Sequence, residues 1–269
     1  EIRNCDWSSD VCSSDLAPGG AVILVLAGCV DSVALGKATD SGAQSTDDTG
    51  EHVGLAHAAA PIYVNTGESL YTWDIDAKTA SWSGRFETLD GVGLSDMVDI
   101  AIDSEGALYG AIGTTLYRID AEDARCEADR SLSTSGTGLT FAGDGRLVVA
   151  GGALVAVDLG TGVEEELVAD GTWATSGDVV GVPEGTLEWS VRGDGGDTWV
   201  SVDPSLGVAT ERGAVGASSL WGVAYAEGTV FAFSGDGYVY TVDPATGAGT
   251  FVVDAALSFY GAATNPVTW

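Results

Sequence analysis

Four side chains that could do chemistry stand at one recurring position of this chain. Asp99, Asp178 and Trp221 each lie seven residues before a glycine that closes a strand (Gly106, Gly185 and Gly228), and Gly138 holds the same place before Gly145. Tyr260 joins them because Phe259–Asn265, FYGAATN, resembles the stretch around Trp221, LWGVA. Two carboxylates and two aromatic rings brought to one opening could bind a cation or stack a sugar. A plainer reading competes with it. Aromatics beside glycine often pack between structural units, and aspartates often cap turns.

Other groups offer less. Arg192-Gly193-Asp194 has the sequence of an adhesive tripeptide, but Gly and Asp are also what a hairpin turn at that place requires. Gly-Asp-Gly at 143–145 and 235–237 lacks the alternating oxygen ligands of a calcium loop. His52 and His57 are the only histidines, and both fall in a polar stretch ahead of Pro61. Nothing after it can therefore supply an imidazole base or a Ser–His arrangement. No catalytic residue, cofactor or metal site is assigned.

The elements that must position these residues are short strands. Leu220–Gly249 reads as three strands in a row, with Ser234-Gly235-Asp236-Gly237 as a hairpin turn and Asp243-Pro244-Ala245-Thr246-Gly247 as the next. Weaker copies recur from about Pro61 onward. The turn aspartates fall at Asp76, Asp120, Asp158, Asp203 and Asp243, with gaps of 44, 38, 45 and 40. Alternating pairs such as Tyr117/Ile119 and Tyr240/Val242 precede them, the period of a strand. The closing glycines Gly106, Gly145, Gly185 and Gly228 repeat at 39, 40 and 43. Two landmarks therefore share one period.

About 40 residues and four strands per unit is the pattern of a β-propeller blade. The second unit would run Ile100–Asp103 (inner), Ala107–Ala111, Thr115–Asp120 and Cys126–Leu132 (outer). The wording LYRID at 116–120 and DPATG at 243–247 resembles the YVTN-type and related quinoprotein-like propellers of bacterial surface proteins. The tryptophan-docking signature of quinoprotein dehydrogenases and the GH…WD pair of WD40 blades are both missing. Five-bladed glycoside hydrolases place three carboxylates in the channel mouth, so a carboxylate-based glycosidase stays open beside a binding module and a purely structural protein.

Counting units sets the closure. The first unit starts at Pro61 without an inner strand, whereas Phe259–Asn265 reads as an inner strand with nothing after it. The C-terminal strand is expected to complete the first blade and close a five-bladed ring, removing open edges. A six- or seven-bladed ring cut at Trp269 is the alternative.

Ahead of this domain, 61–269, the chain divides into three. Asp6–Leu16 resembles one reading frame of a sequencing-library adaptor, so residues 1–16 are expected to be foreign. Residues 17–28 carry a seven-residue apolar core, Ala21–Ala27, too short to span a membrane and suited to a signal peptide. Leu26-Ala27-Gly28-Cys29 resembles a bacterial lipobox, which implies cleavage before Cys29 and a lipid anchor on its sulfur and amine. Residues 29–60 then form the acylated Cys29 and an acidic linker reaching roughly 30 Å.

Charge narrows the partners. The full chain carries −30, and only two lysines, Lys37 and Lys78, are present. Such a field repels nucleic acid. Cys126 is the one cysteine of the domain and has no disulfide partner there. The reading that results is a monomeric propeller of the bacterial cell envelope, extracytoplasmic and anchored to the inner or outer membrane through Cys29. Its ligand, a glycan, cation or protein, would sit at the channel mouth around Asp99, Asp178, Trp221 and Tyr260.

Overall fold

A computed structural model of the chain describes residues 54–56, 60–169, 171 and 173–268, all within one unit, Gly50–Trp269. The adaptor-like residues, the signal remnant, Cys29, His52 and His57 lie outside the described residues.

The strands follow the repeat. β1 (Ile62–Asn65), β2 (Ser69–Asp74) and β3 (Thr79–Arg85) open the chain of blades. After the two-residue β4 (Glu87–Thr88) come β5 (Asp99–Ile102), β6 (Leu108–Ile112), β7 (Thr115–Ile119) and β8 (Arg125–Ser131). The third blade takes β9 (Gly138–Phe141), β10 (Leu147–Ala150), β11 (Leu154–Val157) and β12 (Glu164–Val168). The fourth takes β13 (Thr175–Gly181), β14 (Leu187–Gly193), β15 (Gly196–Asp203) and β16 (Val208–Ala214). The fifth takes β17 (Leu220–Ala226), β18 (Thr229–Ser234), β19 (Tyr238–Val242) and β20 (Gly249–Asp254).

β21 (Gly261–Thr264) then pairs antiparallel with β1, Gly261 opposite Asn65 and Thr264 opposite Ile62. The last strand is thus the inner strand of the first blade, in the order β21-β1-β2-β3. The fold is a closed five-bladed β-propeller, as the repeat count implies. β4 is an addition that the repeats did not announce. It pairs parallel with the outer strand β8 and covers that edge of the second blade.

The core is divided among the gaps between blades. Among the described residues are five apolar clusters, each mixing residues of two neighbouring blades. Ile62, Trp73, Phe231, Phe233 and Phe259, for example, join the fifth blade to the first, with Trp73 edge-on to Phe233 at 5.4 Å. Inner and second strands are therefore covered on both faces. β6 and β10 read as unbroken apolar runs and the first five residues of β14 are buried, whereas the outer β8 and β16 keep one face in water. Cys126 lies buried in the first of these clusters, and burial pushes its thiol up to about 12. It is an inert core residue.

Two register details differ from the sequence alignment. Trp73 pairs with Ala80 as Ile119 pairs with Cys126 and Val202 with Ala209. Asp74, not Asp76, is therefore the turn aspartate of the first blade, and its Oδ1 accepts from Ala77 N at 2.8 Å. Asp120, Asp158, Asp203 and Asp243 likewise cap their turns, each accepting from the N–H two residues on. The second difference lies in the fifth blade. Five residues separate Ile102 from Leu108, Phe141 from Leu147 and Gly181 from Leu187, but a two-residue turn joins Ala226 to Thr229. Glu227 (φ +51°) and Gly228 (φ +75°) both take the left-handed conformation there, as a tight hairpin turn demands.

Candidate functional site

That shorter turn splits the four candidate residues. Asp99 pairs with Ala111, Gly138 with Ala150 and Gly261 with Asn65, and in the fifth blade Gly222 takes the matching place opposite Phe233. Trp221 and Tyr260 thus sit one residue earlier than the position shared by Asp99, Gly138 and Asp178. Successive strand residues face opposite ways, so aspartates and aromatics meet different surroundings.

The aspartates lie on the propeller axis and are wholly buried. Asp99 Oδ1 accepts from Ile100 N at 2.8 Å and Ala262 N at 3.2 Å, and its Oδ2 accepts from Leu139 N at 2.5 Å. Asp178 Oδ1 accepts from Val179 N at 2.6 Å, and its Oδ2 accepts from Val223 N. These five donors come from β5, β21, β9, β13 and β17, the inner strand of every blade. The two carboxyls also meet each other in hydrogen-bonding contact. Burial raises both acids above the usual carboxylate range, the neighbouring Asp178 raises Asp99 further, and Asp178 is pushed up to about 8.

Glycine makes room for this pair. A β-carbon on Gly138 would come within 2.9 Å of Asp178 Cα, and one on Gly261 would overlap Asp99 Oδ1. Asn65 completes the cluster. Its Nδ2 donates to Thr66 O and Met97 O, both at 3.0 Å, which leaves Oδ1 buried without a donor. That oxygen lies beside Asp99, since the same β-carbon on Gly261 would be 2.6 Å from it. Closed to solvent and in mutual contact, these two carboxyls cannot flank a glycosidic bond, which needs a separation of about 5 Å or more.

The aromatics are on the surface. Trp221 and Tyr260 are 36% and 37% exposed, with ring centroids 5.7 Å apart and planes at 75°. Glycine backs each ring. Trp221 lies against Gly235 and Tyr260 against Gly67, where a β-carbon would meet them at 2.6 and 3.3 Å. A groove of ≈ 390 Å³ adjoins Trp221, lined by Ser176, Arg192, Asp197, Ser218 and Ser219. Arg192 also borders a second groove of ≈ 470 Å³ with Trp173, Asp194 and Glu211. Its Nε donates to Thr175 O at 3.1 Å, so the RGD arginine is held at the start of the β14–β15 hairpin, opposite Asp197. Asp197 is occupied by Ser176 Oγ at 2.5 Å and Leu220 N at 2.8 Å.

Two further features went unnoticed in the sequence. Glu188 is buried within the fourth blade and accepts from Trp199 Nε1 at 2.7 Å and Ser201 Oγ at 2.8 Å; burial raises its pKa. A Glu inside an apolar strand beside Trp189 was the available signal. At the other end of the inner strands, a cavity of ≈ 230 Å³ is lined largely by apolar groups such as Leu139, Phe141 and Val182. Its two threonines are already engaged, Thr140 Oγ1 by Gly181 N and Thr264 Oγ1 by Tyr225 N. Among the described residues no group of three or more His, Cys, Asp or Glu could hold a metal ion.

Likeness to known proteins stops at the fold. No family model matches the chain, and no curated protein does either. Solved propellers do match. A chain of the nidogen/laminin complex superposes with a TM-score of 0.55 at 12% identity, covering 79% of this chain and 84% of that one. The WD40 repeats of RRP9 match at a TM-score of 0.49 and 12% identity, over 72% of this chain and 60% of that one. The extracellular domain of BT4673 from B. thetaiotaomicron reaches 0.43 at 13% identity, over 71% and 26%. At such identities the shared property is the fold alone, a β-propeller.

Proposed function

We propose that this chain is an extracytoplasmic binding module, anchored to a bacterial membrane through lipidated Cys29, that holds a glycan on the rim beside Trp221. One observation carries the reading: Trp221 and Tyr260 are exposed as a pair at the edge of the groove containing Arg192, Ser218 and Ser219. A sugar offers an apolar face to an aromatic ring and hydroxyls to polar groups around it. Glycines 235 and 67 support the rings from behind, so their shape is set before a ligand arrives. The lipobox-like Leu26–Cys29 and the YVTN-like wording of the blades support an envelope location.

The buried aspartates take no part in this binding. They hold the scaffold together, which divides the labour among the four residues. Glycan-array screening followed by calorimetry on the best hit tests the reading. Trp221→Ala should weaken binding at least tenfold while the melting temperature stays within a few degrees. Binding that survives in Trp221→Ala and Tyr260→Ala, or release of reducing sugar from the bound glycan, would remove it. Restoring a signal n-region and following fatty-acid label into wild type but not Cys29→Ala tests the anchor.

A further inference from the structure

We propose that Asp99 and Asp178 keep a proton between them at neutral pH and form a clasp that ties the five inner strands together, tight in acid and loosened by alkali. The geometry requires a positive centre there. Both carboxyls are wholly buried and touch each other, and the one ionisable group facing either among the described residues is its partner. The elements around them contribute backbone N–H groups from Ile100, Leu139, Val179, Val223 and Ala262, together with Asn65 from β1. None of these is cationic. Two bare carboxylates in contact in a dry site repel, and each has lost the water that would solvate its charge.

The orientation of Asn65 is independent of that reasoning. Its amide nitrogen is committed to two carbonyls, so the side chain cannot be turned to offer a donor. A buried acceptor oxygen therefore faces an acidic oxygen, an arrangement that is costly unless a hydrogen lies in that space. One carboxylic proton relieves the repulsion and serves one acceptor at a time. It can bridge the two aspartates or turn to Asn65 Oδ1, while the five N–H groups hold whatever negative charge remains.

The sign follows from linkage. In the unfolded chain both aspartates ionise near the ordinary value of about 3.9. In the folded chain both are raised, Asp178 to about 8. The native state therefore binds more protons than the unfolded one across that window. The share owed to Asp178 is complete below about pH 4 and is lost as pH rises through about 8, and Asp99, raised by burial beside Asp178, acts in the same direction. Between these limits the unfolding constant should climb about tenfold per pH unit for each proton retained.

The test compares urea unfolding of the full chain from pH 5 to 9 with that of Asp99→Asn/Asp178→Asn. The chain's net charge of −30 produces a pH trend of its own, so the difference between the two proteins is the readout. We expect wild type to lose stability relative to the variant by about tenfold or more in the unfolding constant per unit between pH 5 and 8. If the double variant fails to fold, aspartate-labelled wild type should show a protonated carboxyl by carbon NMR at pH 7 that titrates near pH 8. A wild-type-minus-variant difference that is flat from pH 5 to 9, or no protonated aspartate at pH 7, overturns the clasp. So does stabilisation of wild type alone by millimolar calcium at fixed pH, which would put a metal ion in the proton's place.

Discussion

The axis and the rim of this propeller began as one position of the repeat and ended as opposites. Asp99 and Asp178 have no exposed surface and are bound to the inner strands of all five blades. Trp221 and Tyr260, one residue out of step, stand in solvent on glycine supports. The hairpin through Glu227-Gly228 has one residue fewer from Gly222 to its partner Phe233 than the second blade has from Asp99 to Ala111, which accounts for the difference in the fifth blade. Polar side chains thus ended up inside and aromatic ones outside, the reverse of the usual preference. The aspartates tolerate burial because each carboxyl oxygen finds an N–H, and the rings tolerate exposure because each rests on backbone.

If axis and rim have separate roles, changes at the axis should act on stability and changes at the rim on binding. The largest effect is expected from removing residues 258–269. Loss of β21 takes away Phe259, the pairing to β1 and the N–H of Ala262, leaving both an open edge and one blade without its inner strand. Aggregation or a cooperative unfolding transition lost altogether is the expected outcome by calorimetry and light scattering. Next comes Gly138→Val. Its β-carbon would meet backbone of the fourth blade at 2.9 Å, so the inner strands must separate, at a cost of about 3 kcal/mol or more in chemical denaturation.

A smaller loss tests a buried acid away from the axis. Trp199→Phe removes the indole N–H from Glu188 but leaves Ser201 and Thr186 in place. About 1–3 kcal/mol should be lost. Because burial already holds the Glu188 pKa up, that loss should be greater at pH 8 than at pH 5, where the protonated acid needs fewer donors. The smallest stability effect belongs to the rim. Trp221→Ala removes a ring that is 36% exposed and should cost about 1 kcal/mol or less, with glycan binding the property that changes. Equal stability losses at Gly138 and Trp221 would erase the distinction between the two regions.

Local chemistry explains how much of this could be read in advance. Strand alternation, Asp–Gly turns and a 40-residue period are short-range properties, so five blades and the closing role of Phe259–Asn265 are legible in the amino-acid sequence. The same landmarks misplaced Asp76 by two residues and Trp221 by one, because turn lengths vary and a landmark in a turn does not report strand register. Asp74 is the turn residue since Trp73, not Ile75, continues the pairing. Sequence also brought Asp99 and Asp178 together, which a ring of equivalent inner strands makes unavoidable. Tertiary structure alone decided what surrounds them. Three of the five N–H groups, the orphan oxygen of Asn65 and the glycine gaps at 138 and 261 come from the three blades that hold neither aspartate, up to 163 residues away in sequence. Burial and proton affinity depend on those distant neighbours, and no local pattern of residues encodes them.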